Sequence, residues 1–119
     1  MKIYIGGDSG YDTHFAQIGN QFGEIDLAIL EHGQYNKNWK HIHLMPDEIT
    51  KAASDLKAKK ILAVHHSKFA LSNHAWNEPL RNVSNRIQST GIKLITPMIG
   101  VKVLLKSDNQ VFRDWWEMD

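Results

Sequence analysis

Short apolar runs alternate along this chain with segments of helical periodicity, and this alternation limits the possible folds more than any other feature. The apolar runs span residues 2–6, 25–30, 60–65 and 93–95, and the helical patterns span residues 13–22, 46–56 and 75–90. Apolar runs of this length are typical of strands in buried parallel sheets, and the helices between them form the crossovers. The sequence therefore predicts an α/β domain with a mostly parallel sheet at its centre.

Two further runs at the end of the chain, residues 101–106 and 111–115, flank the polar tetrapeptide SDNQ. Two strand-like runs separated by a short polar turn are typical of a β-hairpin. We therefore expect a terminal β-hairpin after the last strand of the sheet. The total of 119 residues suits one domain of ordinary size.

The composition excludes several classes of protein. The net charge is +1, from 14 basic and 13 acidic residues, so the chain has no basic surplus for nucleic acid. No apolar run approaches the roughly 18 residues that a membrane-spanning helix needs. The absence of cysteine excludes disulfides and thiolate metal sites, and the chain opens on a strand instead of a signal peptide. We expect a cytoplasmic protein that binds no nucleic acid and spans no membrane.

Polar side chains follow three of the predicted strands. Asp8 lies in the turn "GGDSG" after the first strand, Glu31 and His32 follow the second, and His65 and His66 follow the third. Ligands of open parallel sheets bind at the carboxyl ends of the strands, where neighbouring strands form one crevice. We therefore expect Asp8 to share a site with the histidines.

A carboxylate and imidazoles form a donor set that suits zinc, iron or manganese, and a carboxylate can bridge two such ions. Seven histidines in the chain agree with metal chemistry. A catalytic zinc takes about three protein ligands and a site for two ions takes more. One aspartate and one or two histidines therefore indicate part of a metal site.

The blocks "GGDSGYDTHFAQIGNQFGEIDLAIL", "GQYN", "HLMPDEI" and "AVHHSKFAL" resemble the C-terminal half of the metallo-β-lactamase superfamily. The resemblance covers residues 3–100 and is strongest to the branch of N-acyl-phosphatidylethanolamine phospholipase D-like and ascorbate-phosphate lactonase-like hydrolases. It implies one half of an αβ/βα sandwich, in which one sheet carries its covering helices.

The resemblance also implies roles for individual residues. Asp8 matches an aspartate that bridges two metal ions, and His65 matches a ligand of the second ion. His43 matches a histidine at the mouth of the site, where it would act in catalysis or bind substrate. Tyr35 and Trp39 lie in a polar loop and could line the substrate cleft or only brace that loop. The implied cofactor is a pair of zinc ions, with manganese or iron as alternatives.

The chain departs from the family pattern because it contains no His-x-His-x-Asp-His motif. We therefore expect residues 1–119 to form a single partial domain that carries only part of an active site. The expected function is metal-dependent hydrolysis of a phosphoester or lactone-like substrate, either a small molecule or a lipid-like ester.

Two other interpretations stay open at this stage. The chain could be a catalytically inactive half-domain that pairs with a second copy or with a missing N-terminal half, because a half-sandwich leaves an apolar sheet face uncovered. It could also be a flavodoxin-like domain in which Asp8 helps to bind magnesium or phosphate. That interpretation predicts helices on both faces of the sheet.

Overall fold

A computed structural model describes residues 1–32, 43–66 and 75–117. Tyr35 and Trp39, the predicted substrate-binding residues, lie outside these ranges. The described elements in chain order are β1 (Ile3–Ile5), α1 (His14–Phe22), β2 (Leu27–Glu31), α2 (Glu48–Asp55), β3 (Lys60–Val64), α3 (Glu78–Ile87) and β4 (Lys93–Ile95). The predicted alternation is confirmed, with element ends that differ from the prediction by a few residues.

The four strands form one parallel sheet in the order β1-β2-β3-β4. One row of partners runs across the whole sheet, because Tyr4 pairs with Ala28, Ala28 with Ile61 and Ile61 with Leu94. Residues in register in a parallel sheet point to the same face. This row therefore defines one face of the sheet, and the residues next to it in sequence define the other.

The three described helices all pack on the face that carries this row. Ala28 and Ile61 from the sheet are buried in one apolar cluster with residues from each helix. The helical segments contribute Phe15, Ile49, Ala52, Ala53, Leu56, Leu80, Val83 and Ile87. Each large apolar side chain buried here contributes about 1.5–3 kcal/mol, so this two-layer contact is the main source of stability. The helices described lie on a single face, which argues against the flavodoxin-like interpretation and agrees with half of a sandwich.

Ser107 and Asp108, in the segment after β4, lie against the opposite face of the sheet. The Lys60 ammonium contacts the Asp108 carboxylate at 2.7 Å and donates to the Ser107 carbonyl at 3.1 Å. The Lys93 ammonium donates to the Asp108 carbonyl at 2.9 Å. Lys60 and Lys93 are register partners on neighbouring strands. The C-terminal segment is therefore attached to β3 and β4 by side chains instead of by strand pairing.

The prediction of a terminal β-hairpin is wrong, because residues 101–114 contain no strand. The side chain of Gln110 makes hydrogen bonds to the backbone where a hairpin would have bonds between two strands. Its amide nitrogen donates to the Lys102 carbonyl at 2.8 Å, and its oxygen accepts from the Leu104 amide at 2.7 Å. The chain then ends its described part in a 3-10 helix, Trp115–Glu117. The Lys102 carbonyl and the Leu104 amide are thus satisfied by a side chain instead of by a second strand.

Every helix in the described ranges falls short of the length and apolarity needed to cross a bilayer.

Candidate metal centre

The site is built on the carboxyl ends of three neighbouring parallel strands. Asp8 lies in the turn after β1, Glu31 is the last residue of β2, and His65 directly follows β3. The turn after β1 needs Gly7, because its φ of 61° lies in the left-handed region that other residues rarely adopt. The chain order and the sheet order coincide here, so side chains that follow successive strands become spatial neighbours.

His65 itself has a left-handed backbone, with a φ of 68°. For a residue with a Cβ atom this conformation costs about 1–2 kcal/mol. It ends the strand abruptly and stops the alternation of side chains between the two faces. Strained backbone of this kind occurs at functional sites, where the surrounding structure holds the residue in place. The His65 ring is thereby brought next to Asp8 and Glu31.

Asp8, His43 and His65 form a compact cluster of possible metal ligands. One donor atom from each lies within 4.8 Å of the other two. Asp8 Oδ1 is 3.6 Å from His65 Nδ1, and the centroids of the two histidine rings are 5.3 Å apart. His43 is buried, whereas Asp8 is exposed and His65 is 37% exposed. The structure therefore brings together the three residues that the sequence indicated, and their roles stay predictions.

Glu31 is a fourth polar residue of the site, and its side chain is only 2% exposed. Its Oε2 lies 3.2 Å from His43 Nδ1 and 3.9 Å from His65 Nδ1. Its Oε1 accepts a hydrogen bond from the backbone amide of Leu44. The sequence placed Glu31 at this edge of the sheet but gave it no role. The available signal was a carboxylate at the end of a run of buried apolar residues.

Burial lowers the pKa of His43. The carboxylate of Asp8 opposes this effect, and His65 adds to it. A neutral imidazole keeps a lone pair on one ring nitrogen, and metal binding requires that form. The electrostatic environment of His43 therefore agrees with a role as ligand or as a hydrogen-bonding partner of substrate.

Two other histidines lie near the cluster without belonging to it. The His66 ring donates to the Ala63 carbonyl at 2.7 Å and stacks on Trp115 with centroids 6.5 Å apart. Burial lowers the pKa of His66. His14 Nε2 is 3.2 Å from the Ser9 hydroxyl, in the turn that carries Asp8. Both rings pack within the domain, which agrees with a structural role.

The turn that carries Asp8 is tied to the helical layer through Tyr11. The Tyr11 hydroxyl donates to the carboxylate of Asp55, the last residue of α2. The Tyr11 ring also stacks on Phe15 at 5.9 Å between centroids. The charged acceptor raises the pKa of Tyr11. This contact joins a surface turn to the buried core, so it positions the segment from which Asp8 projects.

Replacing Tyr11 with phenylalanine is expected to lower the free energy of unfolding by about 1–2 kcal/mol, because hydrogen bonds to charged groups are stronger than neutral ones. Tyr4→Phe is the matched control, since the Tyr4 hydroxyl makes no hydrogen bond to the described residues and its ring packs against the same core. Urea unfolding of both variants checks the prediction. An equal loss in the two variants would show that the Tyr11–Asp55 bond contributes nothing.

The family described as "Beta-lactamase superfamily domain" matches residues 1–66, which is more than half of the chain. Outer membrane protein RomA of Klebsiella pneumoniae is 57% identical over 65 residues, which cover 55% of this chain and 49% of RomA.

Two longer matches reach further along the chain. An uncharacterized protein of Mycobacterium tuberculosis is 31% identical over 120 aligned positions, which cover 98% of this chain and 32% of that protein. The mitochondrial N-acyl-phosphatidylethanolamine-hydrolyzing phospholipase D of Saccharomyces cerevisiae is 35% identical over 95 residues, covering 76% of this chain and 20% of the yeast protein. The chain thus spans half or less of the length of these relatives. The resemblance inferred from the sequence blocks is confirmed, and the chain belongs to the beta-lactamase superfamily.

Proposed function

We propose that this chain carries part of the active site of a metal-dependent hydrolase. The observation that supports this most strongly is the cluster of Asp8, His43 and His65, whose donor atoms lie within 4.8 Å of one another. The cluster lies at the carboxyl ends of parallel strands, where α/β folds bind ligands. Membership of the superfamily agrees with a site of this kind.

The donor set fits a divalent transition metal. Two imidazoles and a carboxylate suit zinc, and manganese or iron are the alternatives. Three donors are enough for one catalytic ion but too few for two. We propose two zinc ions in the complete site, with Asp8 contacting both and further ligands from outside the described residues, from a second copy or from another segment. Residues 1–119 would accordingly form a single partial domain.

Each residue has a distinct task in this proposal. Asp8 and His65 hold the metal, and His43 contacts the substrate or completes the ligand set. Bound zinc of this type activates water and polarises the oxygen of a phosphoryl or carbonyl group. The buried side chain of Glu31 lies beside these residues, with its Oε2 3.2 Å from His43 Nδ1.

The substrate class that we propose is a phosphoester or a lactone-like ester, either a small molecule or a lipid. The name of the yeast relative describes hydrolysis of N-acyl-phosphatidylethanolamine, a phosphodiester, and this supports a phosphodiester substrate over a lactone. We propose that Tyr35 and Trp39, which lie outside the described residues, contact that substrate.

The proposed function is tested by titrating the isotope-labelled chain with dimethyl phosphate, with and without zinc, and following the backbone amides by NMR. We expect shifts at Asp8, His43 and His65 only when zinc is bound, because the metal supplies the positive charge that the phosphate needs. A parallel titration with a small lactone distinguishes the two ester classes. Shifts that are the same without zinc, or that lie only away from the cluster, would contradict the proposal.

A second candidate function is that of a non-catalytic half-domain that associates through its sheet. Ile3 and Ile5, on edge strand β1, are 44% and 72% exposed, and Phe22 of α1 is 51% exposed. Large apolar side chains in this position favour association. Light scattering of wild type and Ile5→Lys tests it: association predicts a dimer that the lysine variant dissociates, whereas a wild-type monomer would exclude self-association.

A further inference from the structure

An open cavity lies beside the proposed metal site, on the sheet face opposite the helices. Leu62 and Val64 of β3 and Ile95 of β4 form one of its walls. Leu62 and Ile95 are register partners, and Val64, two residues further along β3, points to the same face. His65 lines this cavity and also belongs to the cluster of possible metal ligands. The cavity and the proposed metal site are therefore direct neighbours.

The opposite wall of the cavity is a tight turn that follows β4. The Val101 amide donates to the Met98 carbonyl at 2.9 Å, and Gly100 has a φ of 92°, a conformation that glycine adopts without strain. Met98, Ile99 and Val101 all line the cavity and are exposed. The turn thus fixes three apolar residues at positions that a ligand can reach.

Two aromatic rings at this cavity have polar atoms that are already bonded within the domain. The Trp115 indole N–H donates to the Thr96 carbonyl at 3.1 Å. His66 Nε2 bonds to the Ala63 carbonyl at 2.7 Å, and the His66 ring stacks on Trp115. Both residues line the cavity. With these atoms occupied and the two walls apolar, the cavity favours hydrophobic contact over hydrogen bonding with a ligand.

The size of the cavity indicates what it can hold. Its volume is about 310 Å³, at the lower end of the range for ligand cavities in proteins. A water molecule takes up about 30 Å³ of the liquid, and a methylene group is of similar size, so an alkyl chain of about eight carbons fits. A sugar or a nucleotide would leave hydroxyl groups without partners against the apolar walls, which is unfavourable.

We infer that this cavity binds the alkyl chain of an amphiphilic ester whose ester group lies at the neighbouring cluster. The inference rests on the proposed function for the position of the ester group, whereas binding of the alkyl chain needs no metal. It narrows the proposed substrates to esters that carry an alkyl chain, and it excludes small polar phosphoesters as the preferred class.

The competing explanation is that the cavity is only a gap in the sheet face that a second copy or another segment covers. In that case the chain would show no preference for esters with longer alkyl groups, and a free alkyl chain would not enter the cavity. The two explanations therefore predict different results in both of the following experiments.

The first experiment measures the affinity of the zinc-loaded chain for dimethyl phosphate, methyl butyl phosphate and methyl octyl phosphate, below the concentrations at which they form micelles. Each buried methylene group is expected to strengthen binding about three- to fourfold, and we expect a total gain of at least about tenfold from methyl to octyl. The backbone amides of Met98, Val101 and Trp115 should shift in NMR spectra with the octyl ester. Equal affinity for the three esters would overturn the inference.

Val101→Trp adds bulk inside the cavity and should abolish the preference for the octyl ester. Val111→Trp is the matched control, because it adds the same bulk at a valine that is 90% exposed and lies outside this cavity. Circular dichroism checks that both variants fold. A preference for the octyl ester that persists in Val101→Trp would mean that the alkyl chain binds elsewhere, which would overturn the inference.

The second experiment needs neither zinc nor a variant. Addition of 1-octanol to the metal-free chain should shift the amides of Met98, Val101 and Trp115. Shifts only in other parts of the chain, or no shifts, would overturn the inference. Failure of the chain to bind zinc would instead contradict the proposed function, and the octanol titration would still decide whether the cavity binds an alkyl chain.

Discussion

Replacing Asp8 with alanine is expected to weaken zinc binding more than about 100-fold, since loss of a mere supporting carboxylate already costs 10–100-fold. Asp8 is the only carboxylate in the cluster of three donors. Its removal leaves two imidazoles, which is below the ligand number of a catalytic zinc. His65→Ala should have an effect of similar size. Titration calorimetry, or competition with a metal-binding dye, measures the change.

The control for this prediction is Asp12→Ala in the same surface turn. The Asp12 carboxylate accepts the Thr13 amide at 2.6 Å, at the start of α1, and does not belong to the cluster. Its loss changes the net charge by the same amount but leaves the donor atoms in place. Similar zinc affinity in the Asp8 and Asp12 variants would mean that the ion binds elsewhere or that only net charge matters.

Replacing Gly19 with alanine is expected to lower the free energy of unfolding by at least about 3 kcal/mol, at the upper end of the cost of overpacking a core. A Cβ atom at Gly19 would lie 2.0 Å from the Asp55 carbonyl oxygen and 3.2 Å from the Leu56 carbonyl carbon. These are backbone atoms at the end of α2, and Leu56 is fully buried, so neither can move aside without shifting the helix. Chemical unfolding measures the loss.

Gly6→Ala is the matched control for this prediction. A Cβ atom at Gly6 would have its nearest neighbours at 3.4–3.5 Å, which is ordinary van der Waals contact. We expect a change below about 1 kcal/mol there. Equal stability of the two variants would mean that α1 and α2 are not packed backbone to backbone at this point.

The Gly19 contact also bears on the site. The backbone of Asp55 contacts α1 at Gly19, and the Asp55 carboxylate accepts a hydrogen bond from the Tyr11 hydroxyl. Through Tyr11, Asp55 therefore positions the turn that carries Asp8. A shift at the end of α2 would therefore be transmitted to the cluster of Asp8, His43 and His65. The contacts at Asp55 therefore affect both the stability of the fold and the position of the turn that carries Asp8.

The positions of Asp8 and His65 could be predicted from sequence because they follow from a general rule. Apolar runs between helices indicate parallel strands, and the residues that follow such strands meet at one edge. His43 was different, since only its family resemblance indicated it. Its contact with the other two depends on where the segment before α2 crosses the sheet, which periodicity does not encode.

Two features could not be predicted for related reasons. The sequence placed Glu31 at the right edge of the sheet, but its contacts with the distant His43 and Leu44 could not be predicted. The terminal hairpin was predicted from apolar runs alone, but Gln110, Lys60 and Lys93 hold that segment through side-chain contacts instead. The hydrophobic pattern of a sequence indicates which residues are buried and whether a segment has helical or strand periodicity. Contacts between side chains far apart in the sequence decide which backbone groups pair, and the pattern does not contain them.

The central claim, that Asp8 and His65 hold a metal ion at the carboxyl ends of the strands, is tested most directly by crystallography of the zinc-soaked chain. Diffraction data are collected just above and just below the zinc absorption edge. We predict an anomalous peak that is present only above the edge and lies at about 2.0–2.2 Å from an oxygen of Asp8 and a nitrogen of His65. A peak bound to other residues, or no peak in crystals shown to contain zinc-saturated solvent, would contradict the claim.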